Sequence, residues 1–100
     1  MKPALLIIDV QQALFDAQPA PFEAELVIAR INQLSAKARA QNVPVIWVHH
    51  EVPDSAMSYQ SAGWQLHSDL VAADSDIRVR KTTPDSFLRT DLQQQLEQLH

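Results

Sequence analysis

One hundred residues hold one domain at most, and a 46% apolar, 20% charged composition with a net charge of −4 describes a soluble globular chain. With no basic block, nucleic acid and anionic membranes are poor partners. Cysteine is absent and Gly63 is the only glycine, which excludes disulfides, thiolate metal sites, a cysteine nucleophile within these residues and every glycine-rich phosphate loop.

The first element is Ala4-Leu5-Leu6-Ile7-Ile8-Asp9-Val10-Gln11-Gln12. Apolar at successive positions, it predicts a parallel strand covered on both faces, because a half-exposed strand would alternate. Asp9 interrupts it at the carboxyl end, where open α/β sheets bind ligands, and a carboxylate there needs local compensation. Met1-Lys2-Pro3 and five apolar residues are too short for a signal peptide, and no run approaches the roughly 20 apolar residues of a membrane span. A cytoplasmic location is therefore expected. Pro19 and Pro21 mark a loop. Phe22 to Gln41 then reads as a helix, with Val27, Ile31, Leu34 and Ala38 as its buried stripe. Glu23, Glu25, Arg30, Lys37 and Arg39 form its wet face, acids early and bases late as the helix dipole prefers. Asn42 ends it.

Val43 to His49 reads as a second strand, with Trp47 in its core, and Val52 to Gly63 as a polar loop. A helical turn is expected over Trp64 to Ala72, then a short third strand, Ile77 to Lys81. Thr90-Asp91-Leu92-Gln93 matches a capping box, and Leu92, Leu96 and Leu99 mark the stripe of a last helix. Gln93-Gln94-Gln95 is a solvated face. The β-α-β-α-β-α pattern predicts an α/β fold with a parallel sheet ordered 3-2-1. Two crossovers of one hand place their helices on one face, so the last helix is expected on the other, leading to a fourth strand beside the first.

Three segments occur in order: Leu5-Leu6-Ile7-Ile8-Asp9-Val10-Gln11, Gly63-Trp64-Gln65-Leu66-His67, and Arg80-Lys81-Thr82-Thr83-Pro84-Asp85-Ser86-Phe87, followed by Thr90-Asp91-Leu92. Together they resemble the N-terminal half of an isochorismatase-like cysteine hydrolase. The resemblance spans essentially the whole chain. It implies a three-layer Rossmann-like sheet that continues to strands 4, 5 and 6, in a protein nearly twice this length. Residues 1–100 would then be the N-terminal half, cut before the strand and helix that carry the nucleophilic cysteine. It also implies an Asp-Lys-Cys triad with Asp9 as base and Lys81 as its partner, small-molecule amide-type or isochorismate-like substrates, no cofactor, and homo-oligomers. Strands 1 and 3 lie about 10 Å apart across strand 2, so Lys81 is expected to reach inward from the Thr82-Thr83-Pro84 loop rather than from the strand.

Gln12, Phe15 and Trp64 are the candidate pocket residues. Trp64 could equally serve an oligomer contact, and Phe15 could equally be core. His49-His50-Glu51 invites a metal reading, but neighbours on a strand face opposite ways. Nicotinamidases in the superfamily carry Asp-x-His here, where this chain has His50 and Val52, with His67 as a third candidate. One ligand is missing, so no metal is expected, and His67 is expected to pack on Trp64 or bond a loop. Two other functions compete. One is a non-catalytic half-domain that lacks the nucleophile. The other is a phosphoryl-accepting Asp9, which would need a second acid where Gln11 stands.

Overall fold

The computed structural model describes residues 3–16 and 22–99, so the Pro19 and Pro21 loop lies outside the described residues. Strands β1 (Leu5–Ile8), β2 (Val45–His50) and β3 (Ile77–Lys81) form one parallel sheet ordered β1-β2-β3. Leu5 pairs with Val45, and His50 pairs with Lys81 at the carboxyl end. The sheet order is the expected one. The second strand runs one residue further than its apolar run, so His50 belongs to it.

Helix α2 (Ala24–Ala40) covers one face, where Ile31 and Ala38 pack on Ile7, Val10, Val45 and Trp47. Helix α3 (Leu92–Gln98) covers the other, with Leu92, Leu96 and Leu99 against Ile46, Val48 and Val79. Three layers result, as expected of this α/β class. Asn42 adopts φ 59° just past the C-cap, the left-handed stop that asparagine tolerates.

Several expectations need correction. The buried stripe of α2 is turned: Ile28 and Ser35 are buried, whereas Val27 and Leu34 stay 41% and 56% exposed. Leu34 lies over the open edge of β1, where Leu5, Leu6, Ile7, Ile8, Val10 and Ile31 line a shallow apolar cleft of about 250 Å³. Arg39 is not on a wet face, because its guanidinium grips Asp76. A short helix without a signal in the hydrophobic pattern, α1 (Gln12–Asp16), follows β1. The capping box does not close: the Thr90 hydroxyl accepts from the Leu92 N–H at 3.2 Å, and Gln93 bonds Glu97 instead.

No helix forms over Trp64 to Ala72. The backbone there satisfies itself on another segment. Gln11 bridges Leu66, the Gln12 and Ala13 amides donate to Gln65 and Gly63, and the His67 amide donates to Val10. Residues 51–76 thus join β2 to β3 as turns pinned from the sides. Asn32 holds the Asp69 carbonyl and the Val71 amide, each at 2.8 Å.

Gly63 is required for space. A Cβ there would stand 2.1 Å from the Ala56 carbonyl oxygen and 2.8 Å from Ala13 Cβ. Its φ is not positive, so the left-handed region plays no part. Gly63→Ala is expected to destabilise the fold by about 1–3 kcal/mol, because a backbone carbonyl cannot swing aside like a flexible side chain. Urea denaturation checks it; an unchanged midpoint would refute the close approach.

Candidate active site

Asp9 follows the last residue of β1, and its amide still bonds the Val48 carbonyl at 3.1 Å. It then turns to φ 62°, a conformation that Asp and Asn adopt more readily than most residues. That turn breaks the strand alternation and leads the chain into α1. Lys81 is the last residue of β3, and its Nζ reaches across the end of β2 to donate to Asp9 Oδ2 at 3.3 Å and to the Pro84 carbonyl at 3.4 Å. The lysine therefore reaches from the strand end itself, which corrects the expectation that the following loop must carry it. The long lysine stem and the Asp9 side chain together span the two strand spacings. Its side chain is 3% exposed, whereas that of Asp9 is 39% exposed. Asp9 Oδ1 is buried and bonds nothing among the described residues.

Such an arrangement holds a buried ammonium beside a carboxylate that opens to solvent at the ligand-binding end of the sheet. The carboxylate keeps one oxygen on the lysine and a second oxygen free to take a proton from a neighbouring group. Both Nζ contacts are longer than the usual 2.7–3.2 Å for N–H···O bonds.

Gln11 organises the floor. Its side chain is fully buried, and its carboxamide donates to the His50 carbonyl at 2.7 Å and the Trp64 carbonyl at 2.9 Å while accepting from the His50 amide at 2.8 Å. It clamps the end of β2 and the 61–67 turns to the end of β1. In the sequence Gln11 closes the first family-like segment and stands where a second acid would be needed, but neither reading gives it this role; the available signal is an uncharged polar residue beside Asp9 at the end of an apolar run.

Trp64 is buried, stacked on His49 with centroids 4.3 Å apart and met edge-on by Tyr59. It forms part of the interior under the 51–76 turns. The His49 ring is fully buried, and burial pushes its pKa below the ordinary histidine value. The Trp64 carbonyl can only accept and Arg78 can only donate, so the neutral ring carries its proton on Nδ1 and offers Nε2 to Arg78.

Gln12 bonds Asp16 and the Ser68 amide, tying α1 to the turns. Phe15 meets His67 edge-to-face at 5.0 Å, and the two line a cleft of about 440 Å³ with Ile28 and Asn32, away from Asp9 and Lys81. His67 thus packs on Phe15 rather than Trp64, and its Nδ1 also accepts from the Asp69 amide. Glu51 pairs with Arg80, whose hydrogen bonds lower the Glu51 pKa. Among the described residues no three His, Cys, Asp or Glu side chains, those of His49, His50, Glu51 and His67 included, converge on a metal position. No helix among them is long and apolar enough to cross a membrane.

Comparison with known proteins adds independent findings. The sequence model of the isochorismatase domain matches residues 3–100. An uncharacterized isochorismatase family protein, YecD of Escherichia coli O157:H7, is 32% identical over 107 residues, covering 93% of this chain and 57% of that protein. A streptothricin hydrolase of Streptomyces noursei is 33% identical over 90 residues, covering 89% and 33%. A crystal structure of an isochorismatase family protein superposes with a TM-score of 0.90 at 30% identity, covering 96% of this chain and 57% of that one. The chain thus spans about half or less of the relatives it matches.

Proposed function

The chain belongs to the isochorismatase family, and from that premise we propose that it carries the aspartate–lysine part of a cysteine hydrolase acting on small-molecule amides. The observation that carries this reading is the Lys81 Nζ held 3.3 Å from Asp9 Oδ2 while Asp9 Oδ1 is buried without a partner among the described residues. A carboxylate so placed suits a general base, and an ammonium beside it suits the anion that forms when a thiol is deprotonated.

In this reading Asp9 Oδ1 takes the proton of a cysteine thiol supplied by a C-terminal part of the protein. The thiolate sulfur attacks the amide carbonyl carbon. The C–N bond breaks as Asp9 returns the proton to the departing nitrogen, leaving a thioester. Asp9 then takes a proton from water, whose oxygen attacks the thioester carbon, and the proton returns to the leaving thiolate as the acid is released. The Lys81 side chain stabilises each anionic stage by donating from Nζ. Residues 1–100 make the N-terminal half of the domain in this proposal, and further strands cover the open edge of β1. The apolar cleft along that edge and the greater length of the relatives support it. The same exposed edge favours self-association of the 100-residue chain.

The test measures ammonia release from a panel of primary amides and N-carbamoyl amino acids by the complete protein, before and after alkylation with iodoacetamide. Release that disappears on alkylation is expected, with an intact mass well above the 11.2 kDa of these residues. Release insensitive to alkylation, or robust release by the 100-residue chain, would overturn the cysteine mechanism. A complete protein of 11.2 kDa without activity would establish the non-catalytic alternative.

A further inference from the structure

Among the described residues, three buried side-chain polar atoms lack a hydrogen-bond partner: Asp9 Oδ1, His50 Nδ1 and Trp64 Nε1. The Trp64 nitrogen belongs to the interior under the turns. The other two stand at the carboxyl ends of adjacent parallel strands, where ligands bind in this class of sheet. His50 ends the central strand, between Asp9 on one side and Lys81, its register partner, on the other. Strand alternation sends its ring to the face of Val48 and Lys81 and away from His49, so the two histidines do different things. The His50 backbone is held in place, because the Gln11 carboxamide bonds both its amide and its carbonyl, at 2.8 and 2.7 Å.

A buried polar atom left unpaired is destabilising, and such atoms in native structures call for an explanation. We propose that His50 is a substrate-contacting, specificity-determining residue: its Nδ1 hydrogen-bonds the amide group of the substrate beside Asp9 and Lys81. The inference rests on the amidase reading of the site. It adds a third polar group to it, one carried on a backbone that Gln11 clamps. The substrate class that suits the three together is a small molecule presenting an unsubstituted amide, with a carbonyl oxygen and N–H groups to satisfy a lysine donor and an imidazole nitrogen.

The test uses the complete protein with His50→Leu, His50→Asn and His50→Gln, measuring thermal midpoint and kcat/KM for the best amide of the panel. Leucine removes an atom that has no partner among the described residues, so the midpoint should hold or rise while kcat/KM falls about tenfold to hundredfold, the worth of one hydrogen bond in a dry site. Asparagine puts an amide near the position of Nδ1 and should recover most of the loss; glutamine reaches the position of Nε2 and should not. A midpoint that falls with leucine would give His50 a structural partner and overturn the inference. So would unchanged kcat/KM in an active protein, or equal rescue by glutamine, and both results would leave the amidase reading standing. A wild-type protein that hydrolyses none of the amides overturns that reading and this inference together.

Discussion

Asp9→Asn in the complete protein is expected to lower kcat/KM for amide hydrolysis by about 10²- to 10⁴-fold, the usual contribution of a positioned general base. Asparagine keeps the shape and can still accept from Lys81, so the loss isolates the missing proton acceptor. The effect on stability should be smaller, about 1–2 kcal/mol. Lys81 is 3% exposed and would lose its carboxylate partner, but the 39% exposure of Asp9 lets water take over part of the role. Lys81→Met added to Asp9→Asn should restore stability without activity, because it removes the stranded charge. Unfolding curves and steady-state kinetics on the two variants check both parts. If Asp9→Asn keeps wild-type kinetics, Asp9 is a structural carboxylate.

The second large effect lies far from the site. Asp76→Asn is expected to destabilise the fold by about 2 kcal/mol at pH 7 and to flatten its acid dependence. Asp76 is 2% exposed at its side chain. Burial alone would raise its carboxyl, but the Arg39 guanidinium, the Ala73 amide and Trp47 Nε1 all donate to it and hold its pKa at about 2 against an ordinary 3.8. The folded value is the lower one, so the unfolded chain binds the proton more readily. The contribution is complete above about pH 5 and is lost as pH falls toward 2. Asparagine cannot reproduce it: its amide nitrogen would face at least one of those donors. Urea unfolding of both proteins from pH 7 down to pH 2 should show the gap shrinking steadily. A gap of constant size would assign the loss to packing.

Those two residues differ in how far sequence could reach them. Asp9 and Lys81 were legible because an isolated charge at the end of an apolar run is costly, and because the flanking motifs matched a family pattern. Their separation of 3.3 Å was not, since it depends on the left-handed turn at Asp9 and on the stem of Lys81 crossing one strand. Asp76 carried no signal at all. It is one of several acids in a polar stretch, and its partners Arg39 and Trp47 lie 37 and 29 residues away.

What the sequence determined by itself is the layering: two apolar runs that form strands, an asparagine stop after the first long helix, a leucine stripe on the last one, and the strand Ile77–Lys81 with its exact ends; the cover expected on both faces of the first run is incomplete, since Ile8 is 43% exposed. These follow from local periodicity, which records which side of an element avoids water. Tertiary structure alone decided the partners of the polar groups. The helical turn expected over Trp64 to Ala72 does not become a helix, because Gln65 and His67 bond Gln12 and Val10 through their backbone instead. Leu34 stayed exposed because α2 turned Ile28 and Ser35 to the interior. Gln11 became the clamp of the site because three backbone groups from β2 and the turns converge on one buried amide. Burial is a property each residue carries along the chain, whereas a hydrogen-bond partner exists only after the chain has brought two distant segments together.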